Sequence, residues 1–132
     1  MNAFLVDLDN KPGSLAAAAE ALAAKGVNIL GVSGTSCGDG GRAAIVTADD
    51  ATTRTALQDA RIKFKEMEAT EVSLRHEPGS LAKAARRLAD EGVNIEAIFP
   101  TGMTGDDISV AFVTSNPAKA KEALAMVGGI RR

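Results

Sequence analysis

Asn10-Lys11-Pro12-Gly13-Ser14-Leu15 and His76-Glu77-Pro78-Gly79-Ser80-Leu81 decide how this chain folds. Each stretch follows an apolar, alternating run and opens a helical pattern. Each is followed at the same distance by Gly-Val-Asn-Ile, Gly26 to Ile29 in one case and Gly92 to Ile95 in the other. Pro12 and Pro78, Leu15 and Leu81, and Asn28 and Asn94 are all 66 positions apart. One unit is therefore written twice, and the same loop is built twice. Proline fixes φ and cannot continue a strand ladder, so it ends the strand before it. The glycine beside it permits a tight turn and a close approach to the backbone. The helix that follows begins with N–H groups that have no internal partner and carry the positive end of its dipole. A strand–Pro-Gly–helix junction is thus a place where a carboxylate docks without a basic side chain. The plainer reading is that Pro-Gly only turns the chain and that Ser14 and Ser80 only cap their helices. Two copies, each with a matched asparagine downstream, favour the docking reading.

Outward from the first loop, Phe4, Val6 and Leu8 alternate with Leu5, Asp7 and Asp9, which predicts a strand with one strongly apolar face. Leu15, Ala18, Ala19 and Leu22 form a helix stripe, and Gly26 sits where a helix-ending glycine belongs. Residues 27–36 predict a second strand, 37–41 a glycine-rich hairpin loop and 42–47 a third strand. Asp49 and Asp50 are N-cap candidates for a helix with Thr53, Ala56, Leu57 and Ala60 inward, and 62–66 form a short fourth strand. The second unit repeats this: strand 68–74, a helix stripe of Leu81, Ala84, Ala85 and Leu88, strand 93–101, a loop over 103–107 and strand 108–114. The later matches align at 67, which predicts that this second hairpin loop is one residue longer. Asn116 caps, Pro117 sits at the first helical position, and Ala120, Ala123, Leu124 and Val127 face inward. A last strand at Ile130-Arg131-Arg132 is short or missing. The fold class is α+β: two ferredoxin-like βαββαβ units in tandem, residues 1–66 and 67–132, with antiparallel sheets and helices on one face. The third strands are apolar on both sides, so the helix-free faces are expected to pack against a second copy of the chain.

Composition bounds the function. Of 132 residues, 45% are hydrophobic and 24% charged, with a net charge of −2 divided evenly: residues 1–66 carry 7 basic and 8 acidic side chains, and 67–132 carry 8 and 9. With no basic half or stripe, nucleic acid is not the expected partner. The single cysteine, Cys37, cannot form an intramolecular disulfide and fits a reducing compartment. The chain starts on a strand-like run without a signal peptide and has no apolar stretch long enough to span a membrane, so a cytoplasmic, soluble protein is expected.

With strand, x-x-Pro-Gly-x-Leu, amphipathic helix, Gly-Val-Asn-Ile, strand–hairpin–strand and helix in register, the sequence resembles the ACT domain family, as a freestanding tandem pair. The resemblance covers nearly the whole chain and weakens after Val127. It implies a small ligand-binding regulator of the kind attached to enzymes of amino-acid metabolism. In such domains an amino acid is held between two neighbours, by the loop of one and residues near the second strand of the other. Carried onto this sequence, the ligand-binding positions are Asn10, Pro12, Gly13, Ser14 and Leu15 with Asn28 and Ile29, and His76, Pro78, Gly79, Ser80 and Leu81 with Asn94 and Ile95. His76 departs from the loop asparagine: it keeps hydrogen-bonding capacity but changes shape. Some members carry a histidine two residues before that asparagine; Leu8 and Leu74 stand there, so any contact it makes is absent.

Asn28 and Asn94 have two readings: turn residues that satisfy nearby backbone, or amides that accept from an ammonium and donate to a carboxylate. His76, the only histidine, reads first as an exposed loop residue and second as a ligand partner. Cys37 reads as an incidental thiol, and Gly38 to Gly41 is too short for a phosphate-binding loop. Asp49-Asp50 and Asp106-Asp107 look like caps and solvated loop charge. No metal-ligand cluster, nucleophile–base pair or cofactor loop is recognisable, so the expectation is a non-enzyme without cofactor or metal. A ferredoxin-like RNA binder would need exposed aromatics and a basic surface, and this chain has four Phe and no Tyr or Trp. The expected partners are a free amino acid, a second copy of the chain through helix-free faces or edge strands, and an enzyme of amino-acid metabolism. The competing expectation is a ligand-free interaction or oligomerisation module.

Overall fold

The computed structural model describes residues 1–125 and 130–131. Two compact units result: Asn2–Met67, and Met1 with Glu68–Arg132. The first contains β1 (Asn2–Asp9), α1 (Ser14–Ala24), β2 (Ile29–Cys37), β3 (Gly40–Thr47), α2 (Asp50–Asp59) and the start of β4 (Phe64–Arg75). β3 pairs antiparallel with both β1 and β2, and β1 borders β4, giving the order β2-β3-β1-β4. The second takes the rest of β4, then α3 (Ser80–Asp90), β5 (Ile95–Thr104), β6 (Asp107–Thr114), α4 (Pro117–Ala125) and β7 (Ile130–Arg131). There β6 pairs with β4 and β5, and the two-residue β7 pairs with Ser73 and Leu74 of β4. Both units therefore have the ferredoxin-like strand order. The strands expected at 62–66 and 68–74 are one 12-residue strand, β4. Val127 and Arg132 lie outside the described residues.

The periodicity explains the layers. In the first unit, Phe4, Val6, Ala43 and Ile45 from the sheet meet Leu22 of α1 and Ala56 and Leu57 of α2. In the second, Val72, Leu74, Val110 and Phe112 meet Ala84 and Leu88 of α3 and Ala120, Ala123 and Leu124 of α4. The aromatic bulk changes strands between copies. Phe4 faces Ile45 across the first ladder, whereas Thr70 faces Phe112 across the second, so these two buried rings enter their cores from opposite strands. Not all of the expected stripes are buried. Ala18 and Leu22, and Ala84 and Leu88, are inside, but Leu15 is 51% exposed and Leu81 52%. These leucines sit on the first helical turn, where the helix has just left the loop. Ala60 is exposed because it is the C-cap of α2.

The helix ends are also repeated. Val27 N–H donates to Leu22 O (3.1 Å) and Gly26 N–H to Ala23 O (2.9 Å); Val93 and Gly92 do the same to Leu88 and Ala89. This is the Schellman pattern, which satisfies orphan carbonyls at a helix C-terminus. α2 closes in the same way, with Ile62 N–H on Leu57 O (3.0 Å), but its left-handed residue is Arg61 (φ 57°). At the N-termini the expectation for serine fails. The N-caps of α1 and α3 are Gly13 and Gly79, both at φ 90° and without a side-chain cap bond, and Ser14 and Ser80 are already helical. A φ of 90° suits glycine, so the turn takes the cap position and displaces serine by one residue. Asp49 does cap α2, accepting from Thr52 N–H (3.0 Å), and Asn116 caps α4 through Lys119 N–H (3.1 Å).

The extra residue of the second copy is not in its hairpin loop. Cys37 pairs with Gly40 and Thr104 with Asp107, so both loops have two residues. Both second strands share a register shift, between Ile29 and Gly31 and between Ile95 and Ala97. β5 has another between Pro100 and Gly102, which makes Thr101 a bulge and moves the offset from 66 to 67.

Apolar residues on the other side of the strands are buried as well: Ala3, Leu5, Ala44 and Val46 in the first unit, and Ala69, Phe99, Ala111 and Val113 in the second.

Candidate functional site

The two Pro-Gly loops are bonded alike. Asn10 N–H donates to Asp39 O (2.8 Å) and His76 N–H to Asp106 O (2.9 Å), so each loop is tied to the tip of its own hairpin. Lys11 N–H to Asp9 O and Glu77 N–H to Arg75 O are both 2.9 Å, and Ser14 and Ser80 N–H reach Lys11 O and Glu77 O at 3.4 Å. No atom lies within 4 Å of where a Cβ on Gly13 or Gly79 would stand, so backbone angle rather than crowding selects glycine there. The position before Lys/Glu-Pro-Gly differs. The Asn10 side chain donates to Gly38 O (3.0 Å), adding a second tie to the hairpin, while the exposed His76 imidazole has no hydrogen-bond partner among the described residues.

Each loop borders a cavity inside its own unit. The first, about 200 Å³, is lined by Leu8, Asn10, Ser14 and Leu15 from β1, the loop and α1, and by Val32, Gly34, Gly41 and Ala43 from β2 and β3. The second, about 450 Å³, is lined by the repeat-equivalent Leu74, His76, Ser80, Leu81, Ile98, Pro100, Ile108 and Val110. Thr35, Ser36 and Arg42 add polar atoms only to the first. The size difference follows local structure. A Cβ on Gly41 would stand 3.0 Å from Thr35 O, so a side chain there would have to push β2 and β3 slightly apart. The equivalent residue in the second copy is Ile108, two pairs beyond the Thr101 bulge that bends β5.

The predicted residues do not all meet. Asn10, Ser14 and Leu15 share the first cavity, and His76, Ser80 and Leu81 the second. Pro12 and Gly13 border a separate, open recess on the far side of their loop, with Arg61 and Lys63. Pro78 and Gly79 are exposed on the outside of theirs. Asn28, Ile29, Asn94 and Ile95 are elsewhere in their units. Ile29 pairs with Thr47, whereas Cys37 pairs with Gly40 beside the loop, so Asn28 and the Pro-Gly loop lie at opposite ends of β2; Ile95 pairing with Thr114 puts Asn94 in the same place. The backbone of both asparagines joins the end of the third strand: Asn28 O accepts from Ala48 N–H (3.1 Å) and Asn94 O from Ser115 N–H (2.9 Å).

The cavity walls from the second and third strands escaped sequence reading, although aligning the copies at 66 and then 67 brings them into correspondence. So did a reversal of charge beside the loops. Asp9 and Lys11 flank Asn10 as an exposed ion pair (3.9 Å), and Arg75 and Glu77 flank His76 as another (3.7 Å) with the signs exchanged. Among the described residues no group of three or more His, Cys, Asp or Glu could hold a metal ion, and no helix is long and apolar enough to cross a membrane.

The family model for an ACT domain pair matches residues 1–127. Among solved structures, a protein from Bacteroides thetaiotaomicron is 27% identical with a TM-score of 0.81, covering 94% of this chain and 85% of its own. The ligand-free regulatory subunit of aspartate kinase from Thermus thermophilus is 23% identical with a TM-score of 0.69, covering 96% of this chain and 91% of that one. The corresponding subunit from Thermus flavus is 24% identical with a TM-score of 0.63, covering 92% and 85%. No curated protein sequence matches the chain.

Proposed function

We propose, because this chain belongs to the ACT domain family as a pair of ACT domains, that it is a non-catalytic regulatory protein whose ligand is a free amino acid. The observation that carries this reading is the Pro-Gly loop, built twice with the same backbone bonds and opening in both copies onto a cavity. The ligand contacts come from one copy of the loop or from both, Asn10, Pro12, Gly13, Ser14 and Leu15 or His76, Pro78, Gly79, Ser80 and Leu81, with Asn28 and Ile29 or Asn94 and Ile95. Loop and asparagine lie at opposite ends of β2 in the first unit and of β5 in the second, so the two kinds of residue do not meet inside one unit. Binding would stabilise one conformation, which an enzyme of amino-acid metabolism reads.

A second reading, a ligand-free interaction or oligomerisation module, draws on the edge strand β2. Its outer edge has no partner strand among the described residues, and it exposes Leu30 (42%) and Val32 (47%). A homodimer would form through the helix-free sheet faces or through edge strands such as this one.

A thermal-shift panel of the twenty amino acids separates the readings. A ligand that binds only the native state stabilises it by about 2.7 kcal/mol at a hundred times its Kd. The expected result is a selective rise in Tm with one amino acid or a chemically related few. Asn28→Ala with Asn94→Ala tests the asparagine contacts by reducing that rise. No rise with any of the twenty would leave the interaction module.

A further inference from the structure

We infer that the cavity of the second unit is a binding pocket for an aliphatic α-amino acid, and that its counterpart in the first unit is not. The inference rests on the amino-acid-binding reading and deepens it, by assigning a side-chain class and one of the two copies. Size decides between the copies first. The second cavity, about 450 Å³, has more than twice the volume of the first, about 200 Å³.

Chemistry decides the class. The second cavity is walled by Leu74, Ile98, Pro100, Ile108 and Val110, with Leu81 half-exposed at its lip. Each residue that is small in the first copy is larger and apolar here: Gly34 gives way to Pro100, Gly41 to Ile108 and Ala43 to Val110. Yet the cavity is the larger one. The Asn10 side chain that ties the first loop to Gly38 has no equivalent bond at His76, and the Thr101 bulge bends the strand that carries Ile98 and Pro100. An apolar wall of this kind rejects charged and amide side chains, because they would be left without partners. It favours longer aliphatic ones, by about fourfold in affinity per buried methylene. The mouth carries both charges that an amino-acid headgroup requires, Arg75 for the carboxylate and Glu77 for the ammonium, paired at 3.7 Å.

Calorimetric titration of the full chain with leucine, isoleucine, valine, alanine and glycine tests the inference, with the 2-oxo acid of leucine as the headgroup control. Two substitutions at matched, half-exposed positions locate the site: Leu81→Trp at the lip of the second cavity and Leu15→Trp at the lip of the first. The expected results are that affinity falls from leucine to glycine, that the 2-oxo acid binds more weakly than leucine, and that Leu81→Trp weakens leucine binding by about tenfold or more while Leu15→Trp does not. Arg75→Gln with Glu77→Gln, at exposed positions, weakens leucine without relying on the fold of the tryptophan variant. Equal or greater sensitivity to Leu15→Trp, or affinity independent of side-chain length, overturns the inference. Amino-acid binding that ignores both tryptophans overturns it while leaving the amino-acid reading intact, and no binding by any of the twenty overturns both.

Discussion

At the scale of single residues, the two copies differ most tellingly where one hydroxyl has a partner and its equivalent has none. Thr47, buried at the end of β3, lies 2.7 Å from the Thr53 hydroxyl and accepts from Asp49 N–H (3.3 Å) at the start of α2. The 67-offset equivalents are Thr114 and Ala120. Ala120 has no hydroxyl to offer, and the buried Thr114 Oγ1 has no hydrogen-bond partner among the described residues. Burying a hydroxyl costs free energy that only a hydrogen bond recovers. Thr47→Val should therefore lower unfolding stability by about 1–2 kcal/mol, whereas Thr114→Val should be neutral or raise it by up to about 1 kcal/mol. Urea unfolding followed by far-ultraviolet circular dichroism measures both, since the chain has no Trp or Tyr to report by fluorescence. Equal losses at the two positions would refute the distinction.

At the scale of elements, much was legible from residue type and spacing. The 66-residue offset, the Pro-Gly junctions and the periodic stripes were enough for the order of strands and helices in both units. What stayed hidden depends on register or on backbone angle. Ser14 looked like a cap because serine often is one, but Gly13 holds the left-handed angle that the Pro-Gly turn demands. The first-turn leucines matched the helical period, yet period does not say where a helix outruns its sheet. The cavities were invisible because their walls come from three strands whose pairing no local pattern encodes. The Thr101 bulge is the sharpest case, since an extra residue inside a strand has no compositional signature. Its hydroxyl donates to Glu71 Oε2 at 2.5 Å, so it is built into the sheet rather than extruded from it. Deleting Thr101 would restore the tighter register of the first copy and press β5 onto Ile108, where a Cβ at the equivalent Gly41 would stand 3.0 Å from the neighbouring strand's Thr35 O. The expected loss is about 1–3 kcal/mol, the range for overpacking, and part of it should return when Ile108→Gly is added. Denaturant midpoints of the single and double variants check this; a second change that only deepens the loss would show that the bulge has no part in accommodating Ile108.

At the scale of the whole molecule, acid sensitivity should arise largely from one carboxylate that binds three elements of the first unit together. Glu66 on β4 accepts two hydrogen bonds from Arg54 of α2 (2.6 and 2.7 Å) and one from the Asn2 side chain of β1 (2.6 Å). The hydrogen bonds from Arg54 hold the Glu66 carboxyl below its ordinary value, against an opposing effect of partial burial, and the Asn2 amide and the Arg54 charge add to the lowering. Arg54 is correspondingly raised, first through its hydrogen bonds to Glu66. Asp49, the cap of α2, is lowered as well, chiefly by the Thr52 hydroxyl and then by its backbone N–H. For a carboxyl depressed in the folded state, the stabilisation is present above the unfolded value, about 4.3 for glutamate, and is lost as pH falls through the lower folded value. Stability should thus hold from neutral pH down to roughly that point and then decline. Glu66→Gln cannot titrate and forfeits the charge-assisted bonds, so it should be less stable than wild type at neutral pH and converge with it in acid. Urea midpoints measured from pH 7 to pH 3 on both proteins decide the matter: convergence assigns the acid limb to Glu66, and parallel curves would place it on other carboxylates, with Asp49 the next to test.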